Sequence, residues 1–287
     1  MRGIFLAISA IAVCGLPRAD AQTAADALMV VAHGSPTGGE WNTQVTRMID
    51  RVEWPGPKGV AFLMTPSEGE GLPSVAARLD QPGVKRIIIV PLLISSYSNH
   101  YEEIRYYAGE LKHAHMHGMG EPLKTKAALV VTRAMDSDPT VSRILADEVR
   151  SVSTDPHKET LVLLTHGPND EDDNAKWMAC MKIHGAYLEK TLGFKRVEYA
   201  TLRDDAPKPV KDAAIAHLRE VVKSSAADST VLIQPVLISV GQVQAEIQQL
   251  LAGMKYKMSR SGVSSHPLAL EWIRQQAAAK AALTAHH

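Results

Sequence analysis

Cysteine is almost missing from this chain. Of 287 residues only Cys14 and Cys180 are cysteines. Cys14 lies in an N-terminal segment expected to be removed, so no disulfide framework exists and the fold must rest on its core. Cys180 sits in an apolar helical stretch, Trp177 to Met181, and reads as a buried, inert thiol. Aromatic residues are scarce at 5%, and the formal net charge is zero. Scarce aromatics disfavour stacking platforms for single strands. A balanced charge leaves little to drive counterion release from a polyanion. Nucleic acid is therefore not an expected partner. The chain also lacks a Walker loop and a Gly-x-Gly-x-x-Gly turn, so no nucleotide cofactor is implied. It has no Gly-x-Ser-x-Gly elbow, which argues against an α/β-hydrolase. A histidine phosphatase would want an arginine before its His-Gly pair, and Ala32 stands there.

No apolar run reaches the ~20 residues that a spanning helix needs. The N-terminal run Ile4–Val13 is short, follows the basic Arg2, and precedes a small-x-small site at Ala19–Ala21. Residues 1–21 thus read as a secretory leader. The mature chain is expected to be periplasmic or secreted, with no membrane span.

What the chain does contain is one motif written twice. Leu28 to Ala32 is an apolar, strand-like run ending in His33-Gly34, and Leu161 to Thr165 ends in His166-Gly167. Such a strand delivers an imidazole at its C-terminal tip, and the glycine lets the backbone turn away. Around these pairs, apolar strands alternate with helices. The first half reads as strands at 28–32, 60–64, 86–94 and 127–131, with helices at 41–52, 72–79, 101–112 and 138–152. The second reads as strands at 161–165, 197–201 and 230–238, with helices at 174–192, 209–223 and 243–251. Continuous Ile/Val/Leu runs such as Ile87–Ile94 require cover on both faces, which implies parallel sheets. The expected architecture is α/β: two three-layer α/β/α halves with parallel sheets, related by internal duplication. Residues 22–152 form the N-terminal half, 153–158 a linker, and 159–258 the C-terminal half. Residues 259–287 are a tail whose helix, 267–283, is expected to pack on the outside. Sheets of this kind bind ligands beyond the C-terminal strand ends, where both His-Gly turns and the loops after Ile94 and Ile238 lie.

The loop after Ile94 carries His100, Glu102 and Glu103. His33 and His100 at one sheet edge, with a carboxylate beside them, suit a divalent first-row metal. The equivalent loop of the second half, Ser239 to Ile247, has no histidine. That half is expected to supply a wall and substrate contacts, and His166 has no evident partner. His113, His115 and His117 alternate along an extended segment and offer a second metal-capturing cluster. His184 and His217 read as surface or boundary residues of helices. The acidic run Asp170–Asp173 reads as a solvated loop.

These residues resemble the CbiX-type sirohydrochlorin cobaltochelatases, among the class II chelatases that include ferrochelatase. The resemblance rests on Val30 to Ser35, on Arg86 to Ile94 followed by His100, on Ala134 to Pro139, on Leu202 to Pro207, and on Ser265 to Pro267. It implies two chelatase-type halves facing a tetrapyrrole cleft, and a catalytic, metal-holding pair that falls on His33 and His100. Glu103 would take part in proton transfer. Ser35, Ser96, Tyr97 and Gln242 would contact the tetrapyrrole. The implied activity is insertion of a divalent metal, cobalt first and iron or nickel next, with the metal as substrate. A monomer or homodimer is expected. A non-catalytic periplasmic carrier of metal or tetrapyrrole is the alternative reading.

Overall fold

Strand β1 (Asp26–Gly34) is buried at every position except His33. It lies in the middle of a sheet with β2 (Lys58–Met64), β3 (Arg86–Leu92) and β4 (Ala128–Val131). The order is β2-β1-β3-β4 and all pairings are parallel. The helices between these strands are α1 (Glu40–Asp50), α2 (Leu72–Leu79) and α3 (Asn99–Tyr107), and α4 (Pro139–Arg150) follows the last strand. The computed structural model describes residues 26–116, 119–239 and 241–283; the expected leader lies outside them.

The second lobe repeats this plan. Strands β5 (Glu159–Thr165), β6 (Arg196–Thr201), β7 (Thr230–Pro235) and β8 (Lys257–Met258) form a parallel sheet in the order β6-β5-β7-β8. Its helices are α5 (Glu171–Leu192), α6 (Lys208–Ser225) and α7 (Gln242–Leu250). Strand β8 was not expected, because two residues are too few to show a pattern. The expected two-half, parallel α/β architecture is the observed one.

Alternation along the strands divides the core. In β1 and β3, Met29, Val31, Ile87 and Ile89 face Val75 and Leu79 of α2 and Ile104 of α3. Leu28, Val30, Ile88 and Val90 face Val45 and Ile49 of α1 and Ile144 and Leu145 of α4. That second cluster runs on without a break into Leu161, Leu163, Trp177 and Met181. One apolar core therefore crosses the boundary between the lobes. The outer face of the second sheet packs Val162, Leu164, Val231 and Ile233 on Leu218 and Val222 of α6 and Ile247 of α7.

Helix α8 (Pro267–Leu283) departs from expectation. It does not lie outside. It returns to the first lobe and packs on α4, β3 and β1. Ala269, Trp272, Ile273, Ala277 and Ala281 are buried in the shared core. Their spacing makes one helical stripe, and its alanines let the helix axis approach closely. Arg86 of β3 ties this end down: Nε donates to Asp26 Oδ1 at 2.7 Å and a terminal nitrogen donates to Ala281 O at 3.3 Å.

The linker region is also pinned rather than loose. Glu159, buried, accepts from the Thr154 backbone at 3.0 Å and from the Ser153 hydroxyl. His184 corrects another expectation. It is fully buried between the lobes rather than at the surface. Its Nε2 donates to Asp136 O at 2.8 Å, so its Nδ1 accepts from Ser142 Oγ at 2.7 Å. Burial lowers its pKa, which keeps the ring neutral. His217 remains on the exposed side of α6, as expected. Cys180 is a buried free thiol whose pKa is raised by desolvation, in keeping with an inert role.

Candidate active site

His33 ends the buried part of β1, and the chain must then turn sharply. Gly34 makes the turn with φ 79°, and a Cβ there would lie 2.1 Å from Met64 O. Only glycine fits this position. After the turn, the buried Asn42 side chain of α1 accepts from Ser35 N at 3.0 Å and fixes the loop. The His33 Nδ1–H donates to Gly34 O at 2.9 Å. A carbonyl can only accept, so the neutral ring carries its proton on Nδ1 and leaves a lone pair on Nε2.

His100 reaches the same edge by another route. Ser98 caps α3, its Oγ accepting from Tyr101 N at 3.3 Å, so the helix begins at Asn99. His100 is therefore in the first helical turn, not in the preceding loop. Glu103 lies one turn on, and its Oε2 stands 3.1 Å from His100 Nδ1. This is the orienting carboxylate that a metal-binding imidazole needs behind it, again with Nε2 left open. The two rings meet edge to face, with centroids 4.5 Å apart and planes at 75°. The His33 pKa is lowered, first by desolvation and next by the charge of His100. The ring is neutral at pH 7, the form that binds metal.

The pair opens on a cleft of about 900 Å³ between the lobes, within the range of small-molecule sites. Trp41, Met64, Leu93 and Ile94 line it from one lobe; Pro168, Trp177, Leu237 and Val243 line it from the other. His166 enters the same cleft from the second lobe, and its charge is felt at His33. Its turn copies the first: Nδ1 donates to Gly167 O at 3.0 Å, and Gly167 has φ 75°. Asp205 Oδ2 stands 3.7 Å from His166 Nε2. The repeated His-Gly pair was the signal for His166; its partner Asp205 lay in the Leu202–Pro207 segment and was missed. Trp41 and Trp177, the flat apolar walls, were missed because they also fit their helices' buried faces.

Of the expected contacts, His33, Ser35 and His100 line the cleft, and Glu103 stands behind His100. Ser96 and Tyr97 do not. The Ser96 backbone and hydroxyl both donate to Asp136, at 2.7 and 2.9 Å, which clamps two loops together. Tyr97 packs on the core and lies under Arg133, which donates to its hydroxyl at 3.3 Å. Gln242 opens α7 beside the cleft, but its side chain lies outside the described residues.

Of the second histidine cluster, His115 Nδ1 meets Glu102 Oε2 at 2.7 Å, a bond that raises the His115 pKa. His117 lies outside the described residues. Among the described residues, no group of three or more His, Cys, Asp or Glu side chains is arranged to hold a metal. The acidic run is used up by α5. Asp170 caps the helix, accepting from Asp173 N at 3.0 Å, and Glu171 pairs with Arg203.

Two α/β lobes of equal topology, closed over a cleft with paired imidazoles, define the chelatase-type fold class. Residues 27–152, the N-terminal lobe, match the CbiX family model, and the CbiX-type resemblance read from the motifs holds for this lobe. Solved structures with the same fold include SirB from Bacillus subtilis with Fe3+, at TM-score 0.62 and 17% identity over 91% of this chain and 98% of that one. The sirohydrochlorin chelatase SirB from Bacillus subtilis subspecies spizizenii, in complex with cobalt, aligns at TM-score 0.59 and 16% identity over 88% and 93%. CbiX, described as the terminal enzyme for siroheme biosynthesis in denitrifying bacteria, aligns at 0.56 and 18% over 89% and 98%. No curated protein matches in sequence.

Proposed function

We propose that this protein is a class II chelatase of the sirohydrochlorin type, which inserts a divalent cation into sirohydrochlorin or a related tetrapyrrole. The observation that carries the reading is the His33–His100 contact at 4.5 Å, at the mouth of an interlobe cleft. Two imidazole nitrogens hold a first-row dication in an incomplete shell, and the remaining positions exchange water for pyrrole nitrogens. Insertion must release two pyrrole protons. His100 accepts one at Nε2 once the metal has left it, and the Glu103 carboxylate stabilises the resulting imidazolium. His166, with Asp205 beside it, accepts the other from the opposite wall. His33, whose pKa is lowered, stays neutral and ready for the next metal. Trp41 and Trp177 supply apolar surfaces that hold the ring and exclude water.

Cobalt is the proposed metal, with iron or nickel next; the cobalt and Fe3+ in the SirB structures make these the first ions to test. Export by the N-terminal leader is part of the same proposal. Insertion of Co2+, Fe2+ and Ni2+ into sirohydrochlorin is followed by absorbance, with the native chain and with His33→Ala and His100→Ala. Turnover in the native protein and a loss of about 100-fold in each variant support the reading. Tight binding of macrocycle or metal without turnover would instead make the protein a carrier.

A further inference from the structure

Helix α5 is apolar on two sides. Its inner face buries Trp177, Cys180, Met181 and Leu188 in the shared core. Its outer face carries a second stripe. Ala175, Ala179, Ile183, Ala186 and Tyr187 recur there at helical spacing, and all are exposed. A surface helix ordinarily turns a polar face to water. Ile183 is 55% exposed, and Tyr187, one turn on, is 37% exposed. The other large apolar side chains exposed among the described residues have their own reasons: Met64 lines the cleft and Leu283 ends α8. No residue of the stripe lines the cleft. Charge marks the two ends of this face. Asp172 and Lys190 stand on the same line of the helix, about five turns and roughly 27 Å apart. Both are exposed, and neither makes an ion pair among the described residues. Lys176, within the stripe, is drawn aside to Asp173 at 3.0 Å and towards the Tyr97 ring at 5.7 Å. The middle of the face is thereby left apolar, with Lys182 and Glu189 along one edge.

We propose that this face is a homodimer interface, in which α5 packs antiparallel against α5 of a second copy about a two-fold axis at the level of Met181. Such an axis sets each residue against its mirror position along the helix. Asp172 of each copy then meets Lys190 of the other, twice. Ala179 meets Ile183, and Ala175 meets Tyr187, so each small side chain faces a large one. The stripe is thus complementary to its own reversal in charge and in shape. Parallel pairing would set Asp172 against Asp172 and Lys190 against Lys190. The opposed helix dipoles favour the antiparallel arrangement as well. One helix face is smaller than the ~800 Å² per partner of a standard interface, so the dimer is a reversible one. Because the stripe stands outside the cleft, this proposal is independent of the chelatase reading.

Sedimentation velocity on the full chain, from about 1 μM to about 1 mM, reads the association. The native protein should dimerise with a midpoint in the micromolar range. Ile183→Glu should weaken dimerisation by about 30-fold or more. Asp172→Lys or Lys190→Glu alone sets like charges opposite each other at both ends, and should weaken it by about fivefold. Asp172→Lys/Lys190→Glu in one chain reverses both pairs and should return the affinity close to the native value. Circular dichroism checks the folding of each variant. A native protein that stays monomeric throughout the range overturns the proposal. So does a dimer kept in full by folded Ile183→Glu. Single charge variants that dimerise like the native protein, or a double variant no tighter than either single one, overturn it too.

Discussion

Gln234 of β7 donates its Nε2 to Glu148 Oε2 of α4 at 2.7 Å, a bond made across the boundary between the two lobes. Both side chains are buried. Desolvation raises the Glu148 pKa from 4.5 to about 7, with the bond from Gln234 opposing the shift. A raised carboxyl pKa means that the folded state holds a proton the unfolded chain has released. Stability from this group is present in full below pH 4.5 and is lost as pH rises towards 7. Glu148→Gln removes the charge and keeps an acceptor for Gln234. It should raise stability at pH 8 by up to about 3 kcal/mol and leave it nearly unchanged at pH 4. Urea unfolding at the two pH values measures this; equal effects at both would contradict it.

The His33 midpoint should fall below the ordinary 6.5, and His100→Ala should move it upward, because the His100 charge is the second cause of the shift. Desolvation, the first cause, remains in the variant, so the return should be incomplete. NMR titration of the His33 ring reads both effects.

Glu103→Gln keeps the shape behind His100 but removes the charge that supports its imidazolium. Metal insertion should fall about 10- to 100-fold with porphyrin affinity unchanged. A parallel loss of porphyrin affinity would place Glu103 in binding instead.

Gly34 and Gly167 make the same turn, but their surroundings differ. A Cβ at position 34 meets the backbone oxygen of Met64 at 2.1 Å, whereas at position 167 it meets the Thr201 side chain at 2.7 Å. Backbone in a sheet cannot move aside as readily as a side chain. Gly34→Ala should cost more stability than Gly167→Ala, the former by roughly 2 kcal/mol or more. Thermal melts of the two variants would show whether the order holds.

Most of the architecture was legible in the sequence because the strands are fully covered and therefore continuously apolar. Leu161–Thr165 and Ile87–Leu92 permit little else. The meeting of His33 and His100 was legible for a related reason: parallel strands bring their C-terminal ends to one edge. Hidden features depended on tertiary neighbours. His184 looks like any helical histidine until Ser142 and the Asp136 carbonyl are placed around it. Ser96 looked like a ligand contact, but the left-handed turn at Asp136, with φ 44°, carries a carboxylate to it. The Asp205 partner of His166 is separated from it by a strand and a helix, and no local pattern links them. Trp272 is the clearest case, since a stripe of alanines around one tryptophan does not announce which sheet it will cover.

Helix α8 ties the beginning of the fold to a segment made after the entire second lobe. The inner face of β1 and β3 stays partly uncovered while that lobe is being synthesised, so the N-terminal lobe cannot reach its final packing as it leaves the ribosome. Whatever holds the emerging chain has until α8 arrives to do so.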